Sequence, residues 1–114
     1  MSECLFCKIV ARTIPAALVY EDDLVVAFDD INPQAPTHTL VIPRKHVTSV
    51  ADLQDSDVGL LGHLMLAGNK IAKLKGVTDA GYRFVINTGA HGGQSVFHLH
   101  LHVLGGRHMT WPPG

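Results

Sequence analysis

Three histidines alternate within one short apolar segment: His98, His100 and His102 stand at every second position between residues 96 and 104. Successive side chains of a β-strand point to opposite faces, so the three imidazoles are expected on one surface, ~7 Å apart. Histidine titrates near neutral pH, so each ring could act as a nucleophile, a general acid or base, or a metal ligand. One such histidine is usually structural, but three on one strand face predict a functional site.

The other side chains of this segment predict which side of the strand is buried. Its odd-numbered positions are apolar and are expected to pack in the core: Phe97, Leu99, Leu101 and Val103. Four further β-prone runs accompany this fifth strand, at residues 18–20, 24–28, 38–43 and 82–87. The first two flank an acidic turn, which favours a hairpin.

Two helices are predicted, a short one over residues 5–11 and a long one over residues 56–75. Asp55 is a candidate N-cap for the long helix, and Gly76 is placed to end it. Apolar side chains recur along this helix at a spacing of three or four: Leu60, Leu64, Ala67, Ile71 and Leu74. The pattern predicts an α+β fold with a five-stranded, mainly antiparallel sheet.

Length and charge limit the classes of protein that fit. A chain of 114 residues predicts one domain over residues 1–114. The formal net charge of −1 shows no electrostatic signature of a nucleic-acid or membrane-surface partner. No apolar run approaches the ~18 residues that span a bilayer, and residues 1–10 do not follow the signal-peptide pattern. We therefore expect a cytoplasmic protein.

Cys4 and Cys7 are the only cysteines of the chain. Without a secretion signal, a metal or redox role is more common for such a pair than a structural disulfide. One C-x-x-C pair supplies only two of the four ligands that structural zinc usually has. The alternative is two reduced thiols packed in a short helix.

The histidine segment, preceded by G-G-Q-S, resembles the histidine triad (HIT) family of nucleotide hydrolases and transferases. Further segments are similar to its Hint branch, the purine nucleoside phosphoramidases. They are D-I-N-P-Q-A-P-T-H-T-L-V-I-P at residues 30–43, G-Y-R-F-V-I-N at 81–87 and L-G-G-R-H-M-T-W-P-P-G at 104–114. The resemblance covers nearly the whole chain. It implies a HIT-like fold and a hydrolase that cleaves the P–N bond of purine nucleoside 5′-phosphoramidates.

The resemblance also implies catalytic roles. His100 would attack the α-phosphorus and form a covalent nucleotidyl-histidine intermediate, with no cofactor required. His102 would donate to the phosphoryl oxygens, and Ser95 would assist departure of the leaving nitrogen. His38 would lie in an outer position near His98 and hold the tautomer of His100.

A nucleotide-binding set follows from the same resemblance. Asp30 would contact the ribose hydroxyls, Ile31 the base and Asn87 the sugar–phosphate region. The phosphate would lie against the end of the glycine-rich loop, at Gly93, Gln94, Ser95 and Val96. From the residues alone, Asp30 could instead be a turn former and Asn87 a strand-end residue.

A zinc site and a homodimer are implied as well. Family members with a similar N-terminal pattern bind a structural zinc, and the matching ligands here are Cys4, Cys7, His46 and His98. Two protomers of this family usually pair through their sheets and long helices. Trp111 would then lie near the active site of the partner.

Two other functions remain open at this point. The three alternating histidines could together bind a catalytic metal, which predicts loss of activity on chelation. No activating carboxylate stands beside them, which disfavours that interpretation. Alternatively, the protein could be a nucleotide-binding regulatory or scaffold protein in which hydrolysis is vestigial.

Overall fold

The computed structural model describes residues 3–114 and contains one antiparallel sheet with a helix on each face. Its strands are β1 (Leu18–Glu21), β2 (Val25–Asp29), β3 (Thr37–Pro43), β4 (Tyr82–Val85) and β5 (Leu101–Gly105). They lie in the order β1-β2-β3-β5-β4, and every neighbouring pair is antiparallel. The predicted α+β class and five-stranded sheet are confirmed.

The two helices are α1 (Leu5–Val10) and α2 (Val58–Leu74). The predicted start of the long helix is wrong by a few residues, because Asp55 begins a separate 3₁₀ turn, Asp55–Asp57, and does not cap α2 directly. The predicted end is correct. Gly76 has a φ of +73°, a left-handed conformation that glycine adopts without a steric penalty.

Helix α2 covers one face of the sheet and closes the larger core. The buried members of this core come from the helix, β2, β3, the segment after β3 and the histidine segment: Val25, Ala27, Val41, Val47, Leu64, Ala67, Ile71, Leu99, Leu101 and Val103. Leu74 is 63% exposed, contrary to the prediction. At 100° per residue it lies about 80° from Leu64 around the helix, at the edge of the apolar stripe. Gly68 lets the helix approach closely, since a Cβ there would lie 2.7 Å from Cζ of Phe84.

Helix α1 covers part of the opposite face with a second cluster of buried residues: Phe6, Ile9, Val26, Phe28, Leu40 and Ile42. Phe6 contacts the rings of both His98 and His100 edge-on, with centroid separations of 6.0 and 5.1 Å. The triad histidines therefore share the α1 side of the sheet, whereas Leu99, Leu101 and Val103 face α2. The predicted division of the segment into two faces holds at these positions.

The predicted extent of the histidine strand is wrong. Only Leu101–Gly105 pairs with its neighbours, because residues 95–100 leave the sheet and bend. The N–H of Leu99 donates to the C=O of Val47 (2.6 Å), in the segment that follows β3. Phe97, expected in the core, is 58% exposed. The fourth strand also ends early, so Asn87 follows β4 and does not belong to it.

Neither helix of the described residues is long and apolar enough to cross a lipid bilayer.

Candidate active site and metal site

A cleft of about 300 Å³ opens on the α1 side of the sheet, beside the histidine segment. Much of its wall is apolar and includes Leu5, Phe6, Ile9, Ile14, Phe28 and Leu40. A few polar side chains reach it: Asp30, Ser95, His100 and His102. Apolar walls with a small number of convergent polar groups are typical of ligand sites. A second depression of about 320 Å³, lined by seven residues within positions 9–18, contains none of the histidines.

His100 is held in one tautomer by its own neighbourhood. Its Nδ1 lies 2.8 Å from the C=O of His98. A carbonyl only accepts hydrogen bonds, so Nδ1 carries the proton and Nε2 is left with the lone pair. Burial lowers the pKa of His100, although the bond to the His98 carbonyl acts in the opposite direction. A neutral ring with a lone pair on Nε2, at the wall of a cleft, is what a nucleophile requires.

His102 is hydrogen-bonded to a fourth imidazole, that of His38. Nε2 of His38 lies 2.8 Å from Nδ1 of His102. Nε2 of His102 is buried and has no hydrogen-bond partner in the described residues. Among buried polar atoms such an orphan is rare, and it marks a place where a ligand atom could bind.

The predicted place of His38 is wrong. We expected it near His98, acting on the tautomer of His100, but it contacts His102. The reason is the register of the antiparallel β3–β5 pair, in which His38 lies opposite Leu104 and Leu40 lies opposite His102. His38 is therefore one same-face step from His102, and His98 lies beyond the paired residues.

We expect His102 to make stability depend on pH. Burial, followed by the nearby His100 and His38 rings, lowers the pKa of His102 to about 4. As the pH falls below the ordinary value of 6.5, the unfolded chain binds a proton that the folded chain rejects until about pH 4. His102 alone should thus remove about 2 kcal/mol of stability between pH 7.5 and pH 5.

Urea unfolding of the wild type and of His102→Asn at both pH values measures this contribution. The wild type should lose about 2 kcal/mol more than the variant on acidification, because asparagine does not titrate. An equal loss in both proteins would show that His102 binds its proton alike in the folded and unfolded states.

Asp30 and Ile31, which the resemblance assigns to the nucleoside, lie at the rim of the cleft. Oδ1 of Asp30 accepts the N–H of Asn32 (2.8 Å), and its Oδ2 lies 3.5 Å from Nε2 of His38. Ile31 is completely exposed although it lines the cleft. Asn87, predicted to contact the same ligand, is half-buried and does not belong to the lining.

The loop before the histidines uses most of its own hydrogen-bond donors. The side chain of Gln94 donates to the C=O groups of Thr48 (2.7 Å) and Val96 (3.1 Å), and accepts the N–H of Gly89. The backbone N–H groups of Gly93 and Gln94 also donate to carbonyls within the loop. Neither residue retains an N–H for a phosphate, contrary to the prediction.

Ser95 and Val96 line the cleft. Ser95 is exposed, so its hydroxyl is accessible to a ligand.

The four residues that the resemblance assigns to zinc converge around one point. The ring Nδ1 of His98 lies 3.3 Å from Sγ of Cys4, 3.5 Å from Sγ of Cys7 and 3.2 Å from Nδ1 of His46. Sγ of Cys7 and Nδ1 of His46 are 3.2 Å apart. All four ligand atoms lie within 4.8 Å of one another. Zinc bonds of ≈ 2.3 Å to sulfur and ≈ 2.0–2.1 Å to nitrogen imply tetrahedral edges of about 3.3–3.8 Å, so the donor set fits zinc.

The chemistry of His98 supports the same conclusion. Its Nε2 lies 2.8 Å from the C=O of Pro43 and therefore carries the proton. Nδ1 is left with a lone pair directed at the two thiols, as metal ligation requires. The ring is completely buried, so its orientation is set by packing as well.

A catalytic metal held by all three triad histidines is disfavoured by these partners. Both nitrogens of His98 are engaged away from the cleft, at the cysteines and at Pro43. His100 uses Nδ1 on the His98 carbonyl, and His102 uses Nδ1 on His38. The three rings do not offer lone pairs to a common point.

Sequence reasoning missed the part of α1 in the cleft. Leu5, Phe6 and Ile9 line it, and Phe6 also contacts the rings of His98 and His100. The signal in the sequence was the apolar spacing of this helix, which indicated a buried face but not its partner. Cys4 caps the same helix, since its Sγ accepts the N–H of Cys7 (3.3 Å).

Comparison with known proteins assigns the class. The HIT domain family model matches residues 11–109, and the chain belongs to the HIT family. The wider bounds of 1–114 for the domain stay a prediction.

Individual relatives match over almost their whole length. An uncharacterized HIT-like protein of Synechocystis sp. is 54% identical over 112 residues, covering 98% of this chain and 97% of the relative. A 14 kDa zinc-binding protein of Zea mays is 50% identical, and the match covers 99% of this chain and 89% of the relative. The crystal structure of a HIT family hydrolase from Legionella pneumophila superposes with a TM-score of 0.96 at 52% identity, covering 98% of this chain and all of the other.

Proposed function

We propose that this HIT protein is a nucleotide phosphoramidase that hydrolyses the P–N bond of purine nucleoside 5′-phosphoramidates. Such substrates include AMP-amine, AMP-lysine and aminoacyl-adenylate compounds. The observation that carries the proposal is the tautomer of His100, which leaves the Nε2 lone pair at the wall of the cleft. Relatives described as HIT family hydrolases support the broader class of hydrolase.

The first step is displacement at the α-phosphorus. Nε2 of His100 forms the new P–N bond, and the bond from phosphorus to the substrate nitrogen breaks with its electron pair on that nitrogen. The leaving nitrogen takes a proton from solvent water, relayed through the exposed hydroxyl of Ser95, and departs as an amine. The imidazole now carries a positive charge, which the carbonyl of His98 stabilises through Nδ1–H.

The second step is hydrolysis of the nucleotidyl-histidine. Water attacks phosphorus and releases a proton to the solvent, the bond to Nε2 breaks, and the lone pair returns to His100. The products are the nucleoside monophosphate and the regenerated enzyme. In both steps negative charge increases on the phosphoryl oxygens, and the Nε2–H of His102 is a suitable donor because it is buried and no other residue within 3–114 accepts it.

The nucleoside would be held by the remainder of the cleft. The apolar wall suits a purine ring, and the Asp30 carboxylate at the rim can accept hydrogen bonds from ribose hydroxyls. Apolar contacts discriminate weakly between similar ligands, so we expect both adenosine and guanosine substrates to be accepted.

The test is incubation with an adenosine phosphoramidate, with and without brief exposure to EDTA. Release of free amine and AMP should continue in EDTA, since no step uses a metal. Rapid denaturation at alkaline pH, where a P–N bond to imidazole survives, should trap AMP on His100. Nucleotide binding without turnover would contradict the proposal and favour the regulatory or scaffold alternative.

We also propose that Cys4, Cys7, His46 and His98 hold a structural zinc ion. Zinc would stabilise the fold by joining α1 to the segments that follow β3 and precede β5. The zinc-binding name of the maize relative is consistent with this role. Thiols that serve as metal ligands need a reducing compartment, and we therefore place the protein in the cytoplasm.

A homodimer is the assembly we propose. On α2, the apolar side chains of Val58, Met65 and Leu66 remain 73%, 37% and 63% exposed. Beside this helix, β4 is an edge strand of the sheet. A second copy could pair with that edge and cover α2 at once, which would remove an exposed edge and an apolar surface together. Trp111, 81% exposed, would then lie near the active site of the partner.

Sedimentation velocity should show a wild-type particle twice the 12.3 kDa mass of the chain. Leu66→Glu should shift it to the monomer, because a charge would be buried in the interface. The matched control is Leu24→Glu, which changes another exposed leucine near the opposite edge and should remain dimeric. A monomeric wild type would refute the assembly.

A further inference from the structure

We propose that Arg107 and the backbone amide of Gln34 are positioning groups that keep the proton of His102 on Nε2. They act through His38, and none of the three needs to touch the substrate. The inference rests on the proposed function, since the Nε2–H of His102 is the donor assigned there to the phosphoryl oxygens.

The first link sets the tautomer of His38. The backbone N–H of Gln34 donates to Nδ1 of His38 at 3.0 Å. A backbone amide cannot accept a hydrogen bond in return, so Nδ1 must hold a lone pair. Burial lowers the pKa of His38, which favours the neutral ring with a single proton. That proton is therefore on Nε2, 3.5 Å from the Asp30 carboxylate that also favours it there.

The second link passes this choice to His102. Nε2–H of His38 points at Nδ1 of His102 across 2.8 Å, so Nδ1 of His102 must accept. His102 is also neutral near pH 7, and its proton is therefore on Nε2, the buried atom that has no partner in the part of the chain that the structure describes. With the opposite tautomer, Nε2 would present a lone pair to the phosphoryl oxygens and repel them.

The third link holds Gln34 in place. Nε of Arg107 donates to the C=O of Gln34 at 3.0 Å, and its Nη1 donates to the C=O of His108. Just before it, Gly106 has a φ of +89°, and a Cβ there would lie 2.8 Å from the side chain of Pro36. The turn after β5 is thus packed against the loop between β2 and β3. Arg107 joins these two segments at Gln34, whose N–H donates to His38.

The fixed tautomer of His38 also explains why Asp30, His38 and His102 would not bind a metal ion, although their ligand atoms lie close together. His38 would have to offer a lone pair at Nε2 while Nδ1 also accepts the Gln34 amide. Neutral imidazole has only one such lone pair. In this cluster the proton position of His38 therefore determines the proton position of His102.

The test reads the tautomers directly, from long-range ¹H–¹⁵N spectra of the histidine rings at pH 7.5. In the wild type, His38 and His102 should each show the Nε2–H form alone. Arg107→Gln should introduce the Nδ1–H form in both rings. With an adenosine phosphoramidate, kcat should fall about three- to tenfold with KM changed less than twofold. The loss is smaller than the roughly 100- to 1,000-fold cost of removing such a donor outright, because part of the enzyme keeps it.

Arg44→Gln is the matched control, because Nε of Arg44 also donates to a loop carbonyl, that of Asp22 (2.8 Å), remote from the cleft. Its histidine spectra and kcat should equal those of the wild type. Gln34→Pro deletes the N–H itself and should shift both tautomers further; if it does not fold, Arg107→Gln decides alone.

Pure Nε2–H rings in Arg107→Gln would overturn the proposal, and so would mixed tautomers with an unchanged kcat. The spectra do not depend on turnover. A wild-type protein without phosphoramidase activity would therefore refute the proposed function. The spectra of the Arg107→Gln variant would still test whether Arg107 and Gln34 set the tautomers of His38 and His102.

Discussion

Replacing His100 by alanine should lower kcat for an adenosine phosphoramidate by at least three orders of magnitude, roughly. Removal of a nucleophile costs about 10⁶-fold in a well-studied hydrolase, where binding and electrostatic groups account for the activity that remains. Here the residual rate would come from direct attack by water at a phosphorus still held by His102 and the cleft. Steady-state release of the amine measures the effect.

Two companion variants separate chemistry from folding. His100→Asn places a side-chain N–H near the position of Nδ1, so the His98 carbonyl can remain paired, but it has no nucleophile and should be equally inactive. His91→Ala changes an exposed histidine of the preceding loop and should retain full activity. Wild-type turnover in His100→Asn, or an adduct trapped on another residue, would refute the assignment of the nucleophile.

Loss of the zinc ligands should produce the second large effect, on stability. Protein purified without chelators should contain one zinc per chain by mass spectrometry of the metal, and Cys4→Ser should contain much less. Since binding energy at a structural zinc site is folding energy, we expect a loss of at least about 3 kcal/mol. For a chain of this size, that is a decrease in Tm of roughly 12 °C or more.

Activity should fall in Cys4→Ser as well, because the zinc site and the proposed nucleophile, His100, are in contact with the same residues. Phe6 of α1 contacts both His98 and His100, and the carbonyl of His98 holds Nδ1 of His100. Lys8→Ser, on the same helix and outside the ligand set, should keep its zinc and its Tm. Metal-free wild-type protein that melts together with Cys4→Ser would refute the zinc site.

Local patterns were sufficient to predict most of the elements and which side chains of the histidine segment share a face. The alternation of histidine and leucine predicted which side chains share a face, and it holds from His98 to Val103 even though the strand begins only at Leu101. Gly76 ends α2 as predicted, because the left-handed conformation needed there is a property of glycine itself. The C-x-x-C pair likewise indicates a metal or redox role, because ligation and oxidation are properties of the cysteine thiol itself.

Positions that depend on pairing between distant segments were predicted less well. His38 contacts His102 and not His98, because the β3–β5 register decides which rings are neighbours. Phe97 is exposed and residues 95–100 leave the sheet, because Leu99 bonds to Val47, more than fifty positions away. No local pattern contains that information.

The amino-acid sequence by itself determined the inventory: three imidazoles in alternation, two thiols in metal-ligand spacing, and the strands and helices that carry them. Only the tertiary structure decided what each histidine does. One ring has its lone pair at the cleft and one has its lone pair at the cysteines. The third has a buried N–H that no described residue accepts. The physical reason is that an imidazole has two nitrogens and one proton, and the partner of one nitrogen determines the role of the other. Those partners are mostly carbonyls and amides brought close by the fold.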